Sequence, residues 1–154
     1  MQVQHYNGDY RRIADIFYDA IHTVALQHYT SEQVYAWAPY PIDYEKWYYR
    51  CELKRPFIVC NTDTAVGFIE LDPDGHIDCH YVHSTWNRRG VGGLLLDHVE
   101  QVCRALGKPR LYVEASLIAV GLYEKCGFHR IREQSITVRG QVLQNVLMEK
   151  VLAE

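Results

Sequence analysis

The chain carries the segment YVHSTWNRRGVGG at residues 81–93, between a strand-like run and the best-formed helical pattern of its C-terminal half. Glycines at such a junction let several backbone N–H groups converge, and the helix N-terminus adds about half a unit of positive charge. Arg88 and Arg89 supply cations for charge-assisted contacts with a diphosphate. The segment therefore predicts a phosphate-binding loop, with a solvated turn as the plainer alternative.

The hydrophobic periods on either side of this loop predict a mixed α/β fold. Helices are expected after Asp9, Thr30 and Asp43, because each of these residues can cap the helical pattern that follows it. Alternating apolar residues then predict an antiparallel meander over 57–82, a strand-helix-strand crossover over 76–113, and a final hairpin. We expect seven strands flanked by helices, in a single domain covering residues 1–154.

Composition argues against several classes of protein. The net charge of -3, with acids and bases mixed along the chain, gives no basic face for nucleic acid. The sequence contains no apolar run close to the roughly 20 residues of a membrane helix, so we expect a soluble protein. Five scattered cysteines favour a reducing cytoplasm over a disulfide framework. The eight histidines lack the spacing of a metal site, so no metal is expected.

Two sequence matches identify a family for the loop. No GK[ST] follows the glycines, which excludes a P-loop, and Leu95 stands where a dinucleotide fingerprint needs a third glycine. The segment resembles instead the [QR]xxGx[GA] loop of the GNAT superfamily of acetyltransferases. Asn87 replaces the usual Gln or Arg, and Ser84 replaces a common proline. Downstream, SLIAVGLYEKCGF at 116–128 is similar to the family's NxxAxxFYEKxGF, with Ser116 at the usual Asn.

This resemblance implies a GNAT-type sheet, mostly antiparallel, in which acetyl-CoA binds where the fourth and fifth strands splay apart. It also implies that the enzyme transfers an acetyl group to a primary amine of a small molecule, amino acid or peptide in a ternary complex. The thioester carbonyl would accept a hydrogen bond from backbone near Val82. The cofactor-binding residues implied are Tyr81, Val82, Asn87, Arg88, Arg89, Gly90, Val91, Gly92, Gly93, Ser116 and Ala119.

The resemblance assigns the general acid to Tyr123, whose phenol would protonate the departing sulfur; from the helix pattern alone it is equally a core aromatic. The family does not fix the position of the base. Asp78 and His80 are the candidates, since residues two apart on a strand share a face, and the alternative for both is a polar group satisfied by hydrogen bonds. Glu70 and Glu114 end predicted strands and could hold the acceptor amine.

The resemblance implies that the aromatic-rich segment before the second strand forms one wall of the acceptor site. Tyr35 and Tyr40 are the candidate substrate-binding residues there, whereas Trp37 and Trp47 are expected to pack against the sheet. Two competing functions remain: a catalytically silent CoA-binding or sensing module, and a phosphate site for another ligand such as a nucleotide. The resemblance also implies a homodimer through the C-terminal strands.

Overall fold

The computed structural model describes residues 1–152 and shows one seven-stranded sheet in the order β1-β2-β3-β4-β5-β7-β6. The strands are β1 (Val3–His5), β2 (Phe57–Asn61), β3 (Thr64–Leu71), β4 (His76–Val82), β5 (Arg110–Ser116), β6 (His129–Val138) and β7 (Gln141–Val151). The α-helices are α1 (Tyr10–Val24), α2 (Ser31–Trp37), α3 (Tyr44–Lys54), α4 (Val91–Ala105) and α5 (Val120–Lys125). No helix in this part of the chain has the length and apolar character to cross a bilayer.

The three predicted helix caps are present. The carboxylates of Asp9 and Asp43 accept hydrogen bonds from the third backbone N–H of α1 and α3, at 3.2 and 3.1 Å. Thr30 and Gln33 form a capping box, in which each side chain bonds the other residue's backbone N–H. These caps satisfy N–H groups that have no partner within a helix, so the local sequence fixes where each helix starts.

Among the strands of residues 1–152, β4 and β5 are the only neighbouring pair that runs parallel, and all the others are antiparallel. The predicted fold class and the predicted crossover over 76–113 are therefore confirmed. The two parallel strands pair at only two positions, His76 with Tyr112 and Ile77 with Val113. Beyond these pairs the strands diverge, which leaves an opening in the middle of the sheet.

Each face of the sheet carries its own hydrophobic core. One core packs α4 and α5 against the sheet, and the other packs α1, α2 and α3 against the opposite face. Gly67 of β3 allows the first core to close tightly, because a Cβ atom there would lie 2.8 Å from Cγ1 of Val91. The start of α4 is thereby pressed against the sheet beside the opening.

A β-bulge in β4 changes which way its side chains point. Gly67 pairs with Val82 and Ile69 with His80, but Leu71 pairs with Ile77, so one residue of β3 lies opposite two of β4. Those two residues are Asp78 and Cys79. A bulge of this kind shifts the side-chain alternation by one residue along the strand.

Candidate active site

The loop between β4 and α4 has the backbone of an anion-binding turn. Arg88 and Gly90 adopt left-handed conformations, with φ of 60° and 84°. The first hydrogen bond of the α4 ladder runs from Leu94 N to Gly90 O, at 3.0 Å, so the N–H groups of residues 91–93 precede it and have no partner in the helix. No acidic side chain lies in the first turn of α4. Unpaired N–H groups at a helix N-terminus favour phosphate oxygens.

A cavity of about 460 Å³ opens in front of this loop. Seven of the eleven residues predicted to bind the cofactor line it, namely Val82, Asn87, Arg88, Gly90, Val91, Gly92 and Gly93. Arg89 does not line the cavity, and its guanidinium carbon lies 4.8 Å from the centre of the Trp86 ring. Trp86 itself lines the cavity, although the sequence pattern gave no reason to select it.

Asp19 of α1 fixes the start of the loop. Its carboxylate accepts hydrogen bonds from the backbone N–H of Ser84 at 2.7 Å and from the Ser84 hydroxyl at 3.0 Å. Proline, which the family pattern often has at this position, lacks the N–H group and could not make the first bond. The departure from the family pattern at Ser84 therefore replaces a rigid residue with a hydrogen-bonded one.

A second, smaller cavity of about 60 Å³ lies in the opening between β4 and β5. Tyr81, Ser116 and Ala119 line this cavity and not the larger one, although all three were predicted to bind the cofactor. The same cavity is also lined by Asp78, His80, Glu114 and Tyr123. The opening thus brings together predicted residues from both strands and from α5.

Backbone hydrogen bonding indicates that Val82 presents its N–H group to the opening. The N–H of His83 donates to Val66 O of β3, at 2.8 Å. Because backbone groups alternate between the two edges of a strand, the N–H and C=O of Val82 point away from β3 and toward β5. No β5 residue pairs with Val82. A backbone donor at this position suits a developing oxyanion.

His80 and Tyr123 form a hydrogen-bonded pair at the bottom of the opening. Nε2 of His80 lies 2.9 Å from Gly92 O, and Nδ1 lies 2.7 Å from the phenolic oxygen of Tyr123. A carbonyl oxygen only accepts, so Nε2 carries the hydrogen in the neutral ring and Nδ1 accepts from the phenol. Desolvation lowers the pKa of His80 to about 4. His80 is therefore neutral at pH 7 and is a weak proton acceptor.

Tyr123 is nearly fully buried, with 1% of its surface exposed, and its ring meets that of Phe128 edge-on at 5.0 Å. Burial raises the pKa of Tyr123 above its usual value. The phenol keeps its proton at neutral pH, which is the state required of a general acid. The two interpretations of Tyr123, core aromatic and cleft residue, are both compatible with its position.

Asp78 and His80 do not share a face, so that prediction is wrong. Asp78 bonds Lys54 and Arg50 at 2.7 and 3.0 Å, toward α3, whereas His80 bonds Gly92 of α4 on the opposite face. The β4 bulge separates them, which residue spacing alone does not reveal. Burial opposes ionisation of Asp78, but the Lys54 bond and the Arg50 charge hold the pKa of Asp78 below its usual range.

Glu70 does not face the cleft as expected. Its side chain is fully buried, and Arg50 donates to both carboxylate oxygens, at 2.8 and 2.6 Å. Within residues 1–152, Glu70, Asp78 and Cys79 are the only group that brings three potential metal ligands within 4.8 Å of one another. Arg50 donates a hydrogen bond to each of the three, so its guanidinium already supplies the positive charge there.

Glu114, by contrast, lines both the opening and an adjoining cavity of about 300 Å³. Its Oε2 atom lies 2.6 Å from Nε2 of His76, and Nδ1 of His76 lies 3.0 Å from Asp72. Burial alone would lower the pKa of His76, but the bonds to Glu114 and Asp72 raise it. Both ring nitrogens face carboxylates, which favours the imidazolium form of His76.

The predicted acceptor wall is only partly in place. Tyr35 is 54% exposed and donates to Tyr40 O, and Tyr40 packs on the rings of Tyr18 and His22. Neither Tyr35 nor Tyr40 lines the opening or the 300 Å³ cavity beside Glu114. Trp37, which was expected only to pack, lines both of them. The aromatic-rich segment therefore does contribute a side chain to the opening. That side chain is Trp37 because the way α2 packs on the sheet decides which residue faces the opening.

A family model described as an acetyltransferase (GNAT) domain matches residues 25–152. The chain belongs to the GNAT acetyltransferase family. This GNAT protein is 30% identical over 149 residues to the uncharacterized N-acetyltransferase YafP of Escherichia coli K12, over 96% of this chain and 94% of YafP. Its resemblance to the family, inferred from two motifs, is thereby confirmed.

Solved structures of other proteins have the same fold. A GCN5-related N-acetyltransferase from Rhodopseudomonas palustris is 31% identical to this GNAT chain, with a TM-score of 0.91 over 97% of this chain and 94% of the other. The acetyltransferase yncA of Salmonella typhimurium, solved with acetyl-CoA, is 18% identical with a TM-score of 0.74, over 100% of this chain and 95% of the other. The second similarity concerns the fold alone.

Proposed function

We propose that the chain, acting as a single domain of residues 1–154, transfers an acetyl group from acetyl-CoA to a primary amine. The acceptor is a small molecule, an amino acid or a peptide, and it attacks the thioester directly in a ternary complex. The observation that carries this proposal is the position of the Tyr123 phenol, at the bottom of an opening whose rim is the anion-binding loop at the start of α4.

Acetyl-CoA suits the larger cavity. Its diphosphate would bind the unpaired N–H groups of residues 91–93 and the charge of Arg88, while the pantetheine chain follows the cavity toward Val82. Gly93 leaves room for a ligand, because a Cβ atom built there meets nothing within 4 Å. The acetyltransferase yncA, solved with acetyl-CoA, supports this assignment at the level of the fold.

The reaction needs one oxyanion donor and one acid. The amine nitrogen forms a bond to the thioester carbon, and the carbonyl oxygen accepts a hydrogen bond from Val82 N–H. When the C–S bond breaks, Tyr123 gives its proton to the departing sulfur. His80 acts as a positioning residue, since its Nδ1 atom holds the phenol within the opening.

The amine must also lose a proton. His80 is a weak base with a pKa of about 4, and the ion pairs of Asp78 keep its carboxylate ionised but occupied. Glu114 suits this step better than either of the two residues first considered. Among residues 1–152, its carboxylate has one partner, His76, whereas that of Asp78 is bonded by two cations. Like Asp78, Glu114 borders both the opening and the cavity of about 300 Å³, which we call the acceptor cavity. Glu114 would bind the ammonium group and then accept its proton.

Thiol release from acetyl-CoA in the presence of a panel of primary amines tests this function. We expect release that depends on the amine and an acetylated product identified by mass spectrometry. Binding of CoA in calorimetry, without transfer to any amine, would instead indicate the silent CoA-binding module. A stronger affinity for a nucleotide than for CoA would contradict the cofactor assignment.

Two further expectations belong to this proposal. A homodimer would form through the C-terminal strands, where β6 is the open edge of the sheet, and light scattering in solution tests it. A cytoplasmic location follows from the scattered free cysteines, and cell fractionation tests it.

A further inference from the structure

A third cavity of about 530 Å³ lies on the face of the sheet covered by α1, α2 and α3. One side of α3, the loop before it and the turn between β6 and β7 enclose it. Four aromatic side chains line this cavity, from Phe17, Tyr18, Trp37 and Trp47. The cavity plays no part in the chemistry described above.

Two exposed cations border the cavity, and neither has an acidic partner in the part of the chain that the structure describes. These cations are Lys46 and Arg139. One nitrogen of Arg139 donates to Ala36 O at 2.7 Å, which leaves its other N–H groups for a ligand. The charge of Arg50 is balanced by Glu70. Asp43 is the one acid in the lining, and its carboxylate caps α3.

The aromatic walls provide flat faces next to these cations. The rings of Phe17 and Trp47 lie 4.9 Å apart, and the guanidinium of Arg50 lies 5.7 Å from the centre of the Trp47 ring. Apolar faces beside unpaired cations suit an anion carried on a flat apolar body. Trp37 also lines the acceptor cavity beside Glu114, so the two cavities share one wall.

We propose that this cavity binds the anionic end of the acceptor, so that the substrate is an amine bearing a carboxylate on a flat, apolar body. This inference rests on the proposed acetyl transfer for the position of the amine at Glu114. Arg139 and Lys46 would hold the carboxylate, and Trp37 and Trp47 would contact the body of the substrate. An amine without the anion would lose the two charge-assisted contacts.

Binding of phenylacetate and of its neutral analogue phenylacetamide tests the site without relying on turnover. Trp37 and Trp47 report on this cavity by fluorescence, and Trp86→Phe removes the signal of the tryptophan in the cofactor cavity. We expect phenylacetate to bind at least about fivefold more tightly than phenylacetamide. Equal affinities, or no binding of phenylacetate at millimolar concentration, would overturn the inference.

Charge-removing variants locate the effect. Arg139→Gln combined with Lys46→Gln should bring the ratio of the two affinities close to one. The double variant should stay folded, with a lower melting temperature because the Arg139 bond to Ala36 O is lost. Arg132→Gln is the matched control, since Arg132 is an exposed arginine of the same hairpin that does not line the cavity. The inference fails if the ratio persists in the double variant or disappears in the control.

Turnover separates this inference from the proposed function. The pair to compare is 4-(aminomethyl)benzoate and 4-methylbenzylamine, at saturating acetyl-CoA. Acetylation of both amines with equal kcat/KM would support the proposed acetyl transfer and contradict the proposed anion-binding cavity. Selective binding of phenylacetate without acetylation of either amine would support the proposed anion-binding cavity and contradict the proposed acetyl transfer.

Discussion

The Nδ1 atom of His80 lies 2.7 Å from the phenolic oxygen of Tyr123, and the carbonyl of Gly92 determines which of the two donates. Since Nε2–H of His80 donates to Gly92 O, only Nδ1 is left to accept from the phenol. Gly92 belongs to the first turn of α4 and is one of the residues predicted to bind the cofactor. The orientation of the proposed acid is therefore coupled to the backbone that would hold the diphosphate.

Replacing Tyr123 with Phe should lower kcat by about 100-fold or more, because the departing sulfur loses its proton donor. The dissociation constant of CoA should change little. Steady-state kinetics and calorimetry provide the two values. Tyr112→Phe is the control, as the Tyr112 phenol donates to Asp74 and does not line the opening. Unchanged turnover in Tyr123→Phe would remove the proposed acid.

His80 should make the free energy of unfolding depend on acidity. The unfolded chain has a histidine pKa of about 6.5, whereas folded His80 has a pKa of about 4. Between these values the unfolded state binds more protons, so stability falls as the pH falls, by up to about 1.4 kcal/mol per pH unit. His80→Gln should reduce that slope in denaturant titrations between pH 6.5 and 4.

His76 provides a control with the opposite sign. The pKa of His76 is raised in the folded protein. Its contribution to the free energy of unfolding is therefore complete below the pKa of the unfolded chain and is lost as the pH rises through the pKa of the folded protein. His76→Gln should therefore lower stability at low pH and leave it unchanged well above neutrality. Identical pH slopes for wild type and His80→Gln would contradict the assignment of a neutral, desolvated His80.

Gly90→Ala should weaken CoA binding and destabilise the fold. A Cβ atom there meets no other atom within 4 Å, so the cost comes from the positive φ of 84° and should be about 1 kcal/mol. Any relaxation of that backbone would also turn the unpaired N–H groups away from the diphosphate. Thermal unfolding and the KM for acetyl-CoA measure the two effects.

Gly121→Ala is the matched control for Gly90→Ala. Gly121 is an equally unobstructed glycine with ordinary helical geometry in α5. Alanine has the higher helix propensity, so this change should be neutral or slightly stabilising, with CoA binding intact. Equal behaviour of the two variants would show that the left-handed conformation at Gly90 has no role.

Arg50→Met should destabilise the protein by about 3–5 kcal/mol, because it leaves the fully buried carboxylate of Glu70 without a partner. Adding Glu70→Gln should recover part of that loss, since the uncompensated charge is removed. Arg55→Met, which disrupts an exposed pair with Glu52, should change stability by less than about 1 kcal/mol. Urea titrations of these four proteins and of the Glu70→Gln single variant give these differences, and additive losses in the double variant would contradict the proposed coupling.

The order of elements could be predicted because its signals are local. Thr30 and Gln33 form a capping box where α2 starts, and Gly90 takes a left-handed conformation that glycine adopts without strain. The two motifs around residues 81–93 and 116–128 were also sufficient to identify the family, which the match over 25–152 confirms. Short-range hydrogen bonds and local backbone conformation depend on residues close together in the sequence, so they can be predicted from the sequence alone.

The roles within the site depend on contacts that cross the fold. Asp78 and His80 are two residues apart, yet the bulge opposite Glu70 turns them toward different helices. Glu114 gains its partner His76 only because β4 and β5 pair in parallel at this point. Trp37 reaches the cleft only through the docking of α2.

By itself, the sequence determined the fold class, the family and the position of the loop that would bind the cofactor, since each depends on spacing along the chain. Tertiary structure decided the tautomer of His80, the burial of Glu70 and the access of Glu114 to the acceptor cavity. The physical reason is that pKa values and hydrogen-bond partners are set by groups brought together from distant segments. Strand register and bulges decide which groups those are.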